Sequence, residues 1–142
     1  MNRSTFFVVA LIQLLSAAII SNAWSLPKTR VRIYNKLPGN AELTIHCKSG
    51  DEDLGSHVIG ANSYYEFGFI DTFSNKLYFC GLHWRGGSMV NDFYRSDRDS
   101  NRCHKECKWG ATERGVLGIN DFEISEPPII DVVYHWGKPK RL

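Results

Sequence analysis

Cys103-His-Lys-Glu-Cys107-Lys-Trp109 is the stretch on which the reading of this chain turns. From His104 onward apolar and polar residues alternate, which puts Cys107, Trp109 and Ala111 on one face of a strand. Cys47 and Cys80 each sit in a strand-like run further upstream. Four cysteines in a short exported chain read as two bridges before they read as a reaction centre. The expected fold is all-β: a small antiparallel β-sandwich stapled by two disulfides, with function in the loops that the staples hold.

Export is read from the N-terminus. Arg3 supplies a positive n-region, residues 6–20 are apolar apart from Gln13 and Ser16, and Ser21-Asn22-Ala23 offers small residues for cleavage. Residues 1–23 are therefore expected to be a signal peptide and residues 24–142 a single β-sandwich domain beginning at Trp24. The apolar run is short for a spanning helix, and no later run is longer. The C-terminus carries no lipidation or retention motif. The expected product is secreted and extracellular, with no membrane insertion.

The whole chain has 17 Lys and Arg against 15 Asp and Glu; losing Arg3 leaves 16 against 15, a net charge of +1. So balanced a surface excludes a strongly basic nucleic-acid binder. The 119 residues that remain (142 minus 23) can bury roughly two-thirds of their unfolded surface.

Period two runs through the domain. Val31 and Ile33 share a face, as do Leu43, Ile45 and Cys47, and as do Tyr65, Phe67 and Phe69. Pro38-Gly39-Asn40 is a turn. A short strand is expected over residues 56–59. Residues 76–84 are apolar on both faces, which predicts a central strand, and Gly86-Gly87 closes a hairpin into residues 88–95. The hydrophilic run Ser-Asp-Arg-Asp-Ser-Asn-Arg over residues 96–102 reads as an exposed loop. Residues 115–119 and 122–124 are weaker strand candidates. Pro127-Pro128 precedes a last strand with Ile130, Val132, Tyr134 and Trp136 facing inward.

An extended stretch would carry Cys103 and Cys107 apart, because four residues at about 3.3 Å each exceed the roughly 7 Å limit for a bridge. The settings His46-Cys47-Lys48 and Glu106-Cys107-Lys108 match, so Cys47 is paired with Cys107, leaving Cys80 with Cys103. No metal and no cofactor is expected. Cys103-x3-Cys107 with His104 lacks a second ligand pair, and Asp51-Glu52-Asp53 lacks the glycine and distal glutamate of a calcium loop. Of the histidines, His46, His57, His83, His104 and His135, most alternate with apolar neighbours and so occupy outward strand positions. No serine elbow or His-Glu-x-x-His motif accompanies them. Lys138, Lys140 and Arg141 read as a solubilising tail.

Several motifs taken together resemble a known family. They are Leu43-x-Ile45-His46-Cys47-Lys48-Ser49 followed by Asp51-x-Asp53-Leu54-Gly55, then Tyr65-x-Phe67-x-Phe69 and Leu77-x-Phe79-Cys80. Cys103-x3-Cys107-x-Trp109 followed by Gly115-Val116 completes the set. The pattern, over nearly all of residues 28–136, is similar to the plant self-incompatibility S-protein family, the S-protein homologues. Phe67 stands where the family pattern has Trp, and Leu117 where it has an aromatic residue.

The resemblance implies a small secreted β-sandwich with two disulfides and an extracellular role. In poppy-type self-incompatibility the stigma-secreted member is a ligand for a pollen membrane receptor, and its binding raises pollen calcium and arrests growth. The function expected here is a non-catalytic secreted ligand, a monomer, whose partner is a plasma-membrane receptor on a target cell and not a nucleic acid. Specificity concentrates on loops displayed by a rigid scaffold. The expected partner-binding residues are Asp97, Arg98, Asp99 and Arg102, with the acidic turn at Asp51-Glu52-Asp53 second. Two other classes compete: a secreted defence protein or toxin acting on membranes or cell walls, and a hydrolase or nuclease, which a deep pocket holding two histidines would favour.

Overall fold

Side chains that point alternately to core and solvent mark an extended backbone, and the burial of β1 (Thr29–Asn35) and β2 (Leu43–Lys48) follows that rule residue by residue. The computed structural model describes residues 2–23, 28–120 and 129–138, with residues 15–23 described by their backbone alone. A helix, α1 (Arg3–Ala23), covers the segment expected to be the signal peptide. No helix among the described residues is long and apolar enough to cross a membrane. The strands are β1 (Thr29–Asn35), β2 (Leu43–Lys48), β3 (Asp53–Ile59), β4 (Tyr64–Phe69), β5 (Leu77–Trp84), β6 (Gly87–Arg95), β7 (Glu106–Thr112), β8 (Gly115–Asn120) and β9 (Ile129–Tyr134). A second helix, α2 (Ser96–Arg102), lies between β6 and β7.

Two sheets result, one in the order β4-β1-β7-β8-β9 and one in the order β3-β2-β5-β6. Every pairing is antiparallel except β1 with β7, which run parallel. The second sheet and α2 lie between those two strands in sequence, so the chain returns to β1 by a long crossover, as a parallel pair requires. Val31, Ile33 and Trp109 on one sheet and Leu43, Ile45 and Leu82 on the other belong to one core where all six are essentially inaccessible. Each such side chain contributes about 1.5–3 kcal/mol by leaving water. An aromatic seam closes one end, with the Tyr78 ring 4.7 Å from Phe69 and 5.0 Å from Phe67, and Tyr94 4.7 Å from Phe69.

Five sequence expectations change. The bridges are Cys47–Cys80 and Cys103–Cys107, not Cys47–Cys107 and Cys80–Cys103. Cys47 and Cys80 are directly opposite on β2 and β5, with their Cα atoms 4.0 Å apart. The other pair lies within bridging reach at 5.0 Å because the strand begins at Glu106. Ahead of it His104 takes a left-handed φ of 45° and the Glu106 amide donates to the Cys103 carbonyl, folding the stretch into a turn. Residues 96–102 are the helix α2 and not an exposed loop; Ser96, Asp99 and Arg102 are buried.

The third change concerns β5, which is internal to its sheet but buried on one face only; Leu77 and Phe79 point to solvent because that sheet's outer face is uncovered. On β9, Ile130 is exposed, while Val132, Tyr134 and Trp136 pack against the core as expected. The strand expected at 56–59 starts earlier, at Asp53. The candidates at residues 122–124, the prolines at 127 and 128, and Trp24, Lys140 and Arg141 lie outside the described residues.

Candidate partner-binding surface

The stretch expected to carry recognition forms α2, and there most of its charge is satisfied internally. Asp99 is wholly buried at 0% exposure. Its carboxylate accepts from the Arg95 backbone N–H at 2.8 Å, from Arg98 Nε and Nη2 at 2.9 and 2.8 Å, and from Arg102 Nε at 2.6 Å. Arg102 also donates from Nη1 to Asp131 Oδ1 at 2.9 Å, tying α2 to β9. Arg98 donates to the Tyr134 hydroxyl at 2.6 Å and to the Asp92 carbonyl at 2.9 Å.

Both guanidinium groups lie against the Trp109 ring, at 5.4 and 4.8 Å from its centroid, and Tyr134 stacks on the same ring at 5.4 Å. Trp109 Nε1–H donates to the Phe93 carbonyl. A buried carboxylate is tolerable only when donors fill its lone pairs, and four do so here. Burial pushes the Asp99 carboxyl up, but the Arg98 and Arg102 hydrogen bonds and the Arg95 N–H outweigh it and hold the group below the ordinary 3.8. The sequence did carry one signal for this, the i, i+3 spacing of Asp99 and Arg102.

Of the four expected partner-binding residues, then, Asp99 and Arg102 are inside and Arg98 is committed to Asp99. Asp97 alone stands out, with its side chain 68% exposed and paired to Arg95 at 2.6 Å. The acidic turn is likewise occupied with its own neighbours. Asp53 accepts from His46 Nε2 at 2.5 Å and lies 3.3 Å from Lys48 Nζ. The hydrogen bond from His46, followed by that from the Gly55 N–H, lowers its carboxyl to about 2. Tyr78 donates its hydroxyl to Glu52.

The histidines disperse. His57 stacks on Tyr65, His104 sits in the small disulfide turn, and His135 is exposed beyond β9. His46 and His83 do converge, on the outer face of the β3-β2-β5-β6 sheet, where they line an open groove of about 490 Å³ together with Phe79, Val90 and Lys48. Gly81 forms part of its floor, directly opposite His46 on the neighbouring strand. His46 and Lys48, nearest its rim, already turn to Asp53. Among the described residues no group of three or more His, Cys, Asp or Glu could hold a metal ion.

Beside α2 lies a segment that drew no attention in the sequence, the connection between β4 and β5 over residues 70–76. Its Phe73 is 84% exposed, while its Asp71 turns inward. Asp71 Oδ2 accepts from the Tyr94 hydroxyl at 2.9 Å and from Ser96 Oγ at 2.6 Å. Ser74, at a left-handed φ of 52°, borders two pockets. One, of about 490 Å³, is lined by Asp71, Tyr94 and Ser100; the smaller, of about 180 Å³, is lined by Arg95 and Asp97. No composition or spacing signal marks this surface beyond a lone phenylalanine in a polar run.

With these features in place, the chain can be compared with known proteins. The model of the family described as plant self-incompatibility protein S1 matches residues 30–136. S-protein homolog 6 of Arabidopsis thaliana is 38% identical over 112 residues, covering 78% of this chain and 77% of that protein. S-protein homolog 3 of the same plant is 39% identical over 115 residues, covering 80% and 75%. Among solved structures, one of the SPH (self-incompatibility protein homologue) proteins superposes with a TM-score of 0.57 at 18% identity, covering 80% of this chain and 98% of its own. Its proteins are described as a widespread family of small, highly stable, secreted proteins from plants.

Proposed function

Because the chain belongs to the plant self-incompatibility protein S1 family, we propose that it is a secreted, non-catalytic ligand recognised by a receptor on the surface of a target plant cell. Residues 1–23 act as the signal peptide and are removed, and residues 24–142 act as a monomer outside the cell. The description of the SPH proteins as small, stable and secreted supports this route.

The observation that carries the reading is how the polar chemistry is distributed. Two disulfides and a buried ionic cluster stiffen the scaffold, and the surface it displays includes the loops at the α2 end. A stiff scaffold lowers the ordering cost of binding, which suits recognition by shape and charge.

The test is binding of the fluorescently labelled, oxidised secreted product to intact plant cells. Saturable binding that unlabelled protein displaces, and that brief protease treatment of the cells abolishes, is the expected result. Non-saturable uptake, or leakage from lipid vesicles at the same concentrations, would move the protein to the defence or toxin class.

A hydrolase is the second reading, favoured by the groove that holds His46 and His83. His46 bonds Asp53 through Nε2, and in a hydrolase such a pair would orient the ring and leave Nδ1 to act as the base. Turnover of RNA or ester substrates that is lost in His83→Ala would establish that reading instead.

A further inference from the structure

We propose that the connection between β4 and β5 is the recognition surface, with Asp71 receiving a guanidinium side chain of a partner protein while Phe73 enters an apolar pocket on the same partner. This inference rests on the ligand reading above and names the kind of partner that it takes.

Asp71 Oδ1 is a buried carboxylate oxygen with no hydrogen-bond partner among the described residues. Such an oxygen carries a desolvation penalty until a donor reaches it. The pocket of about 490 Å³ that Asp71 lines has room for a long side chain. Two of its other polar walls have already given away their protons. The Tyr94 hydroxyl donates to Asp71 Oδ2, and Ser100 Oγ donates to the Ser96 carbonyl. Each is left with acceptor lone pairs only.

These acceptors beside a carboxylate, in a wall that the Thr29 and Ser74 hydroxyls complete, favour a donor-rich cation. Guanidinium, planar and carrying five N–H donors, fits that set better than a point-charge ammonium. His104 and Lys105 stand exposed at the mouth, where water screens them. Lys105 disfavours a free cation and leaves the site to a guanidinium delivered on a chain with further contacts.

Phe73 supplies those contacts. A single exposed apolar side chain is ordinary on its own. This one lies two residues from the carboxylate, on the same bent connection. A buried aromatic beside a charged anchor is the composition in which binding energy concentrates.

The first experiment titrates the isotope-labelled, oxidised secreted product with N-acetyl-arginine methylamide, its neutral citrulline counterpart and the lysine analogue, followed by amide shifts. Saturating shifts at Asp71, Ser74 and Ser100 are expected with arginine. With citrulline none should appear, and with lysine they should be weaker. Asp71→Asn should abolish the arginine response while its melting temperature stays within a few degrees. Equal response to arginine and citrulline, or persistence in Asp71→Asn, overturns the guanidinium assignment.

The second experiment measures saturable binding to intact cells. Phe73→Ala and Asp71→Asn should each weaken it about tenfold or more, the range of a central contact. If wild-type protein binds saturably and both variants bind equally well, the surface lies elsewhere while the ligand reading stands. Should wild-type protein not bind saturably at all, the ligand reading fails and the titration alone decides the pocket. Binding that survives protease treatment of the cells means a partner that is not a protein and overturns the proposal.

Discussion

Two neighbouring segments at one end of this molecule have opposite fates. Ser96–Arg102 is hydrophilic at every position, yet its Asp99 is inaccessible and its Arg102 nearly so. Residues 70–76 include an aromatic ring that any hydropathy rule would put inside, yet Phe73 is the more exposed by far. The difference is in partners and not in polarity. Asp99 finds two guanidinium groups and a backbone N–H within 3 Å, so its burial is offset. Phe73, by contrast, sits on a connection with no facing apolar surface among the described residues. Polar character says what a group needs; geometry decides whether the protein or a visitor provides it.

The sharpest way to break the comparison is Asp99→Asn. Removing one member of a buried charge cluster strands the others, and the expected loss is roughly 3–5 kcal/mol. Urea unfolding measures it; a loss under about 1 kcal/mol would mean that the cluster is ornamental to stability. The pH dependence has a definite sign. The native carboxyl lies below 3.8, its ordinary value. The unfolded state therefore binds a proton first as pH falls. The contribution of Asp99 is present above about pH 4 and is lost progressively below it. Wild-type stability should decline there more steeply than that of Asp99→Asn.

The two disulfides offer the next contrast. Cys47–Cys80 closes a separation of 33 residues and Cys103–Cys107 one of 4. Loop-closure entropy assigns about 4 kcal/mol to the first and about 2 kcal/mol to the second. Residual structure in the denatured chain makes both upper figures. Cys47→Ser with Cys80→Ser should therefore lower secreted yield and melting temperature more than Cys103→Ser with Cys107→Ser. The reverse order would show that the small bridge holds the α2 cluster in place, since Cys103 follows Arg102 directly and Trp109 begins two residues after Cys107.

How much of this was legible follows the same logic. The inward faces of β1, β2, β4 and β7 were readable because each packs one face on the core, so alternation and burial coincide. β5 misled because Leu77 and Phe79 are apolar and still face water. The cysteine pairing depended on where β7 begins. Alternation cannot distinguish His104 from Glu106 as a first strand residue, and a left-handed His104 leaves no mark in the composition. α2 has seven residues, too few for an apolar stripe, and what holds it is ionic. Asp71 was invisible for a further reason: the role proposed for it rests on one unpartnered oxygen, which no local sequence encodes.

The smallest expected effect separates the two halves of the surface. Asp97 and Asp71 line pockets on either side of Ser74, but Asp97 is solvated and paired only with Arg95 across water-exposed geometry. Exposed pairs of that kind are worth about 0–1 kcal/mol. Asp97→Lys should thus leave urea stability within about 0.5 kcal/mol of wild type. Arg98→Asp, one residue on, should unfold the α2 end, because it places a second carboxylate beside Asp99. Cell binding by Asp97→Lys then reads the recognition surface without interference from stability. A few-fold loss would extend the surface across Ser74 to the start of α2. Wild-type affinity would confine it to the Asp71 side, and the charged face of α2 would be left with only the role its hydrogen bonds describe, that of holding β9 to the sandwich.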